Sequence, residues 1–322
     1  MEDVIKIESM SLKYKGSDSY ANEEINLSIK KGSISGFYGE NGAGKSTLIE
    51  AILGYQKIDR GKIYLFGKEL SVTNEYEISK KISYSTQKPL PLGFMNVEDV
   101  LLITSKLRGK NKVDSEKQIE YWISKLHLEN IRKKRISKLS GGQRRIVGFA
   151  TALMGEYEIL ILDEPTNELD PDKRELVWES LQEISKTKNT TIIVITHDVN
   201  ESEAFVDFAY LFSKGRLLEA GSINELKDKA GEEYSIKLKV LAHNVNVAYS
   251  ALLQLGIKGE VNEENTIHVY SKRTELSEAL KLISDNFKKL KLEEYTVSAS
   301  NLNGVFKRLK GQGGINGGSP SA

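Results

Sequence analysis

Gly39-Glu40-Asn41-Gly42-Ala43-Gly44-Lys45-Ser46 decides the reading of this 322-residue chain. An apolar, strand-like stretch at 33–38 leads into it, and a helical stretch at 46–53 leads out. Glycines at these spacings let backbone N–H groups wrap phosphate oxygens. Lys45 can then reach the β- and γ-phosphates, and the Ser46 hydroxyl can ligate Mg²⁺. The positive end of the following helix adds to the attraction for an anion.

Downstream, the apolar run 158–162 ends in Asp163-Glu164. Side chains alternate along a strand, so two adjacent carboxylates can divide the work. Asp163 would hold Mg²⁺, and Glu164 would polarise the attacking water. Between these two motifs stands Leu139-Ser140-Gly141-Gly142-Gln143 at the start of a helix. There a hydroxyl, unshielded N–H groups and a helix N-terminus form a second place for a phosphate.

These motifs, in this order, resemble the ATPases of ABC transporters over about residues 1–230. The resemblance implies that the Ser140 motif binds the ATP held by a second copy, in a head-to-tail dimer. It implies an adenine-stacking role for Tyr14 at the end of the first strand. It implies nucleotide contacts along Gly39, Asn41, Gly42, Gly44, Lys45, Ser46 and Thr47, and on Ser140, Gly141, Gly142, Gln143 and Asp170. Gln87 would contact Mg²⁺ and the attacking water. His197, just after the strand at 192–196, would fix the geometry of Glu164 and that water. Asn167-Glu168-Leu169-Asp170 would cross the dimer interface, although Glu168 stands where glycine or alanine is commoner. The catalytic set is thus Glu164, His197, Lys45 and Gln87; the metal set is Ser46, Gln87 and Asp163; the cofactors are ATP and Mg²⁺.

The expected fold is α/β: a P-loop NTPase core of ABC type, with a helical subdomain at about 88–155. After residue 231 the texture changes to an order β-α-β-β-α-β over 232–310, which suggests a small ferredoxin-like α+β unit. Its last helix falls at about 301–309, and a Gly- and Ser-rich tail at 311–322 reads as flexible. The basic run Arg132-Lys133-Lys134-Arg135 reads as a solvated helix end or loop, and Trp122 and Trp178 as packing residues.

With 39% hydrophobic and 28% charged residues and a net charge of +1, the composition is globular and gives no support to a nucleic-acid partner. The absence of cysteine excludes disulfides and thiolate metal sites. No signal-like start is visible, and the apolar runs fall far short of the ~20 residues of a spanning helix. The expected partners are a separately encoded membrane permease and a second copy of this chain, at the cytoplasmic face of the cell membrane. The loop from Lys88 to Phe94, with Leu90 and Leu92, reads as the docking surface for the permease. The stretch 298–309 resembles the ends of ATPases from bacterial drug, peptide and bacteriocin exporters of the bacitracin-resistance type. Export is therefore expected, with an importer or a soluble regulatory ATPase as the alternatives.

Overall fold

Ile34–Tyr38 is buried at all five positions, as a strand covered on both faces must be. The computed structural model describes residues 2–71, 73–87, 92–230, 233–261, 266–299 and 302. Lys88, Pro89, Leu90 and Pro91 of the expected docking loop, the expected last helix apart from residue 302, and the 311–322 tail lie outside them.

In chain order the first unit contains β1 (Asp3–Leu12), β2 (Asn22–Lys30), β3 (Ile34–Tyr38), α1 (Lys45–Ile52), β4 (Arg60–Leu65), β5 (Lys68–Glu69), α2 (Glu75–Ser79) and β6 (Ile82–Ser85). It continues with α3 (Val97–Leu107), α4 (Lys112–Lys125), α5 (Gly141–Ala152), β7 (Ile159–Asp163), α6 (Pro171–Lys188), β8 (Thr191–Thr196), α7 (Val199–Ser202), β9 (Phe208–Ser213) and β10 (Arg216–Ser222). One sheet runs β10-β9-β3-β8-β7-β6, and the pairs β9–β3, β3–β8, β8–β7 and β7–β6 are parallel. A second sheet, β2-β1-β4-β5, is antiparallel. Strands 3, 7 and 8 are apolar on both sides, so the parallel sheet must be covered. Phe37 lies 5.2 Å from Tyr210 and 5.1 Å from Phe212 in the core that joins the two sheets through α1.

The register of the parallel strands positions the chemistry. Tyr38 stands beside Thr196, Ile195 beside Asp163, and Leu162 beside Ser85. The loops after β3, β6, β7 and β8 therefore leave from one edge, at the carboxyl ends of the strands, where open α/β sheets bind ligands.

Helices α3, α4 and α5 interrupt the sheet between β6 and β7, as the periodicity predicts. The first two residues of the basic run that precedes α5 are paired within this region. Arg132 bonds Glu98 at 2.7 Å and also pairs with Glu120, and Lys133 pairs with Glu98. Those two cations hold the Glu98 carboxyl down at about 2. Trp122 and Trp178 are buried, as packing residues should be.

Contacts divide the chain into units 1–221 and 222–322. The division falls before α8 (Ile223–Ala230), whereas the change in sequence texture falls after it. In the second unit β11 (Glu233–Val240), α9 (Val245–Gln254), β12 (Gly259–Val261), β13 (Thr266–Lys272), α10 (Arg273–Asp285) and β14 (Leu292–Ala299) follow in the expected β-α-β-β-α-β order. Their antiparallel sheet, β12-β13-β11-β14, places the first strand between the third and the fourth, and the second at one edge. That is the ferredoxin-like arrangement. Ile236, Leu238, Ile267 and Val269 form its core with Leu252 and Ile283.

Candidate functional site

The loop 39–46 takes its shape from its glycines. Gly42 and Gly44 have φ of 81° and 94°. A Cβ on Gly44 would stand 2.4 Å from the carbonyl oxygen of Ala21, and one on Gly39 would stand 2.6 Å from that of Phe212. Lys45 is 7% exposed, and its ammonium donates to the carbonyl oxygens of Gly39 at 2.7 Å and Glu40 at 3.0 Å. The charge is thereby held across the mouth of the loop. Asn22, which the sequence reading misses, is fully buried and donates its amide to the Gly44 carbonyl at 3.1 Å. It lies 22 residues before Gly44, so no local pattern marks it.

Three further strand ends converge here. The Ser46 hydroxyl lies 3.4 Å from Asp163 Oδ2, across 117 residues of sequence. Burial, and then the charge of Glu164, raise the Asp163 pKa. Hydroxyl and carboxylate oxygens are the donor type that Mg²⁺ takes, and a carboxylate kept from water gains from a cation; the residues present fit that ion. Gln87 leaves β6 beside them and is exposed.

Glu164 departs from the alternation argument. The strand ends at Asp163, and Glu164 takes φ +50° while its N–H still bonds to the Ile195 carbonyl at 2.8 Å. A left-handed turn therefore separates the two carboxylates, at a local cost of about 1–2 kcal/mol for a residue with a Cβ. The Glu164 side chain is 9% exposed, and Oε1 sits 2.8 Å from His197 Nδ1. Its Oε2 is buried and has no hydrogen-bond partner among the described residues. A buried carboxylate oxygen without a donor is costly unless something else supplies one. His197 leaves most of its imidazole open to solvent.

Tyr14 lies two positions beyond the end of β1 rather than on it. The residue is 44% exposed, and its hydroxyl is 3.0 Å from Thr47 Oγ1, which anchors the ring beside the start of α1. Asn41 and Gly42 are exposed in the loop.

Ser140 caps α5. Its hydroxyl accepts the Gln143 N–H at 3.2 Å, and Gln143 Oε1 accepts the Ser140 N–H at 3.1 Å. The Gln143 carbonyl oxygen thus serves the helix end, a structural use beside the nucleotide contact implied by the resemblance. Gly141 and Gly142 pass close under the 167–170 loop: Cβ atoms there would stand 2.8 Å from Glu168 Oε2 and 3.0 Å from the Glu168 carbonyl. Glu168 has φ +66°, a backbone state that suits glycine better and accounts for glycine being commoner there. Asp170 caps α6, accepting the Lys173 N–H at 3.1 Å, and also pairs with the Lys173 ammonium.

Arg145 is the second residue missed from the sequence. Its guanidinium donates to the Gln87 carbonyl at 3.1 Å and lies 3.8 Å from the Glu168 carboxylate, tying α5 to both loops. These groups border a cleft of about 360 Å³, which Thr104, Arg108 and Gly148 also line.

A family profile described as ABC transporter matches residues 22–167. The bacitracin transport ATP-binding protein BcrA of Bacillus licheniformis is 32% identical over 98% of this chain and 100% of its own length. The chain belongs to the ABC transporter family and is one of its ATPases. The mouse ABC-type organic anion transporter ABCA8B is 31% identical over 98% of this chain, which spans only 20% of that longer protein. Among solved structures, cbiO1 from Clostridium perfringens, part of the ABC transporter complex cbiONQ, matches at 26% identity with a TM-score of 0.62. That match covers 79% of this chain and 98% of cbiO1. The dimeric structure of MJ0796, a bacterial ABC transporter cassette, matches at 26% identity with a TM-score of 0.60 and covers 68% and 98%. Both matches cover nearly all of the cassette and leave part of this chain unmatched.

Proposed function

We propose that this chain powers export of a peptide or drug through a separately encoded membrane subunit. Two copies would close head to tail on ATP at the cytoplasmic face of the membrane. The observation that carries the chemical part is Glu164: one carboxylate oxygen is held by His197, and the other is buried without a partner beside the Ser46–Asp163 pair. Such a group can take a proton from water only if it is kept close to the γ-phosphate and short of other donors. Lys45, exchanging backbone carbonyls for phosphate oxygens, would fix the nucleotide. Mg²⁺, held by Ser46, Asp163 and Gln87, would supply charge neutralisation. Ser140, Gly141 and Gly142 would offer the partner's ATP a capped helix end.

His197 acts through Glu164, so it is a positioning residue. His197→Ala should lower kcat about 100-fold or more while leaving the KM for ATP within about twofold. Loss of kcat and KM together, with folding intact, would remove it from this role.

For the transporter part, no helix among the described residues is long and apolar enough to cross a membrane. A permease must then come from another segment or another chain. Phe94 is 73% exposed, close in sequence to Gln87 at the cleft, and such exposed apolar surface suits a partner helix. The bacitracin transporter relative supports export. Phe94→Asp, an exposed change expected to cost under about 0.5 kcal/mol of stability, should abolish co-purification with the membrane subunit and leave ATP binding unchanged. Undiminished assembly and export would overturn the docking assignment, and movement of substrate inward would overturn the direction.

A further inference from the structure

We propose that two copies of the chain pair through the β14 edge of their C-terminal units, joining two four-stranded sheets into one of eight. Among the described residues β14 is an open edge of its sheet, eight residues long, with β11 on its other side. An edge of that length presents a row of backbone donors and acceptors to any strand that can match it. Natural edges are guarded by charge, and here Glu293 and Glu294 guard one end only; Tyr295, Thr296, Val297 and Ser298 carry none.

The side chains identify the occupant. Tyr295 stands opposite Leu238 and Val297 opposite Ile236, so all four share the covered face of the sheet. Leu238 and Ile236 are fully buried, whereas Tyr295 and Val297 are 38% and 36% exposed. The apolar layer therefore runs out at β14 before its last two members are fully covered, although Tyr295 meets the Phe287 ring edge-on at 6.3 Å. An antiparallel second copy centred on Thr296 sets each Tyr295 against the other copy's Val297, and each Glu294 against Ser298. Aromatic–β-branched pairs of this kind stabilise a sheet by up to about 1 kcal/mol each. Centring on Tyr295 would put Glu293 against Val297. Centring on Glu294 would set like charges face to face. Centring on Val297 would carry the pairing past the described end of the strand. Thr296 is the register that sets both apolar residues against each other and opposes no carboxylate to another; Glu293 then meets only the small Ala299 at each end of the strand.

One strand pair buries less than a standard interface. The contact is then weak alone and suits chains that are already held in twos, a point that rests on the dimer reading above; the pairing itself does not need nucleotide.

The chain has no cysteine, so a single introduced thiol reports without ambiguity. In the full-length protein without nucleotide, Thr296→Cys places two thiols directly opposite each other. Ser298→Cys leaves them four positions apart, about 14 Å along the strands, beyond disulfide reach. Under mild oxidation the Thr296→Cys chain should form covalent dimer at least about tenfold faster than the Ser298→Cys chain. Adding Val297→Lys to Thr296→Cys should remove that advantage, because a lysine there charges the edge. Equal rates for the two thiols in folded protein, or a rate that Val297→Lys leaves unchanged, would overturn the proposal. ATP-driven closure is measured separately by Glu164→Gln, so failure of one does not read as failure of the other.

Discussion

Glu164→Gln should abolish turnover and trap ATP-bound dimers. The amide keeps the shape of the carboxylate and can still meet His197 Nδ1, 2.8 Å away in the parent chain, provided the imidazole presents a matching tautomer. It cannot accept the proton of water. General-base catalysis contributes about 10²–10⁴-fold, so hydrolysis should fall by at least ~100-fold. The left-handed backbone at this position, φ +50°, costs glutamine about what it costs glutamate, so folding should be unaffected. Removing a charge beside Asp163 should also relieve part of the upward shift of its pKa. Phosphate release gives the turnover, and sedimentation with ATP and Mg²⁺ gives the mass. Turnover near that of the parent would strip Glu164 of the role.

The second large effect separates the two halves of the proposed composite site. Lys45→Ala removes a buried ammonium that bridges the loop carbonyls of Gly39 and Glu40. Losing one charge-assisted contact costs about 1.5–3 kcal/mol, so the Kd of a single chain for ATP should rise about 10- to 100-fold. Ser140→Arg should leave that Kd within about twofold, yet prevent closure and turnover by filling the helix end. It also deletes the capping box of α5, which costs about 1 kcal/mol and should lower Tm by a few degrees. Activity must therefore be compared at a temperature where both variants are folded. If both lose ATP binding equally as single chains, the Ser140 loop does not act on a partner's nucleotide.

Local chemistry made much of this protein legible. A phosphate loop needs glycines and a lysine at fixed short spacing, so Gly39 to Ser46 can be read directly; the same holds for the Ser140 helix start and for the acids that end an apolar strand. The α/β order and the C-terminal β-α-β-β-α-β unit follow from periodicity, since burial of one face or two leaves its mark on every strand. What the sequence could not specify depends on register between distant segments. Asn22 under Gly44, the Ser46–Asp163 approach, and Arg145 linking Gln87 to Glu168 span 22, 117 and 58 residues or join three loops at once. The turn that divides Asp163 from Glu164 was also invisible, because alternation along a strand predicts the same split for a different reason. The open β14 edge belongs to this second class as well. Tyr295 and Val297 read as ordinary strand residues, and only sheet order, which is set by long-range pairing of β11 with both β13 and β14, leaves them partly exposed among the described residues.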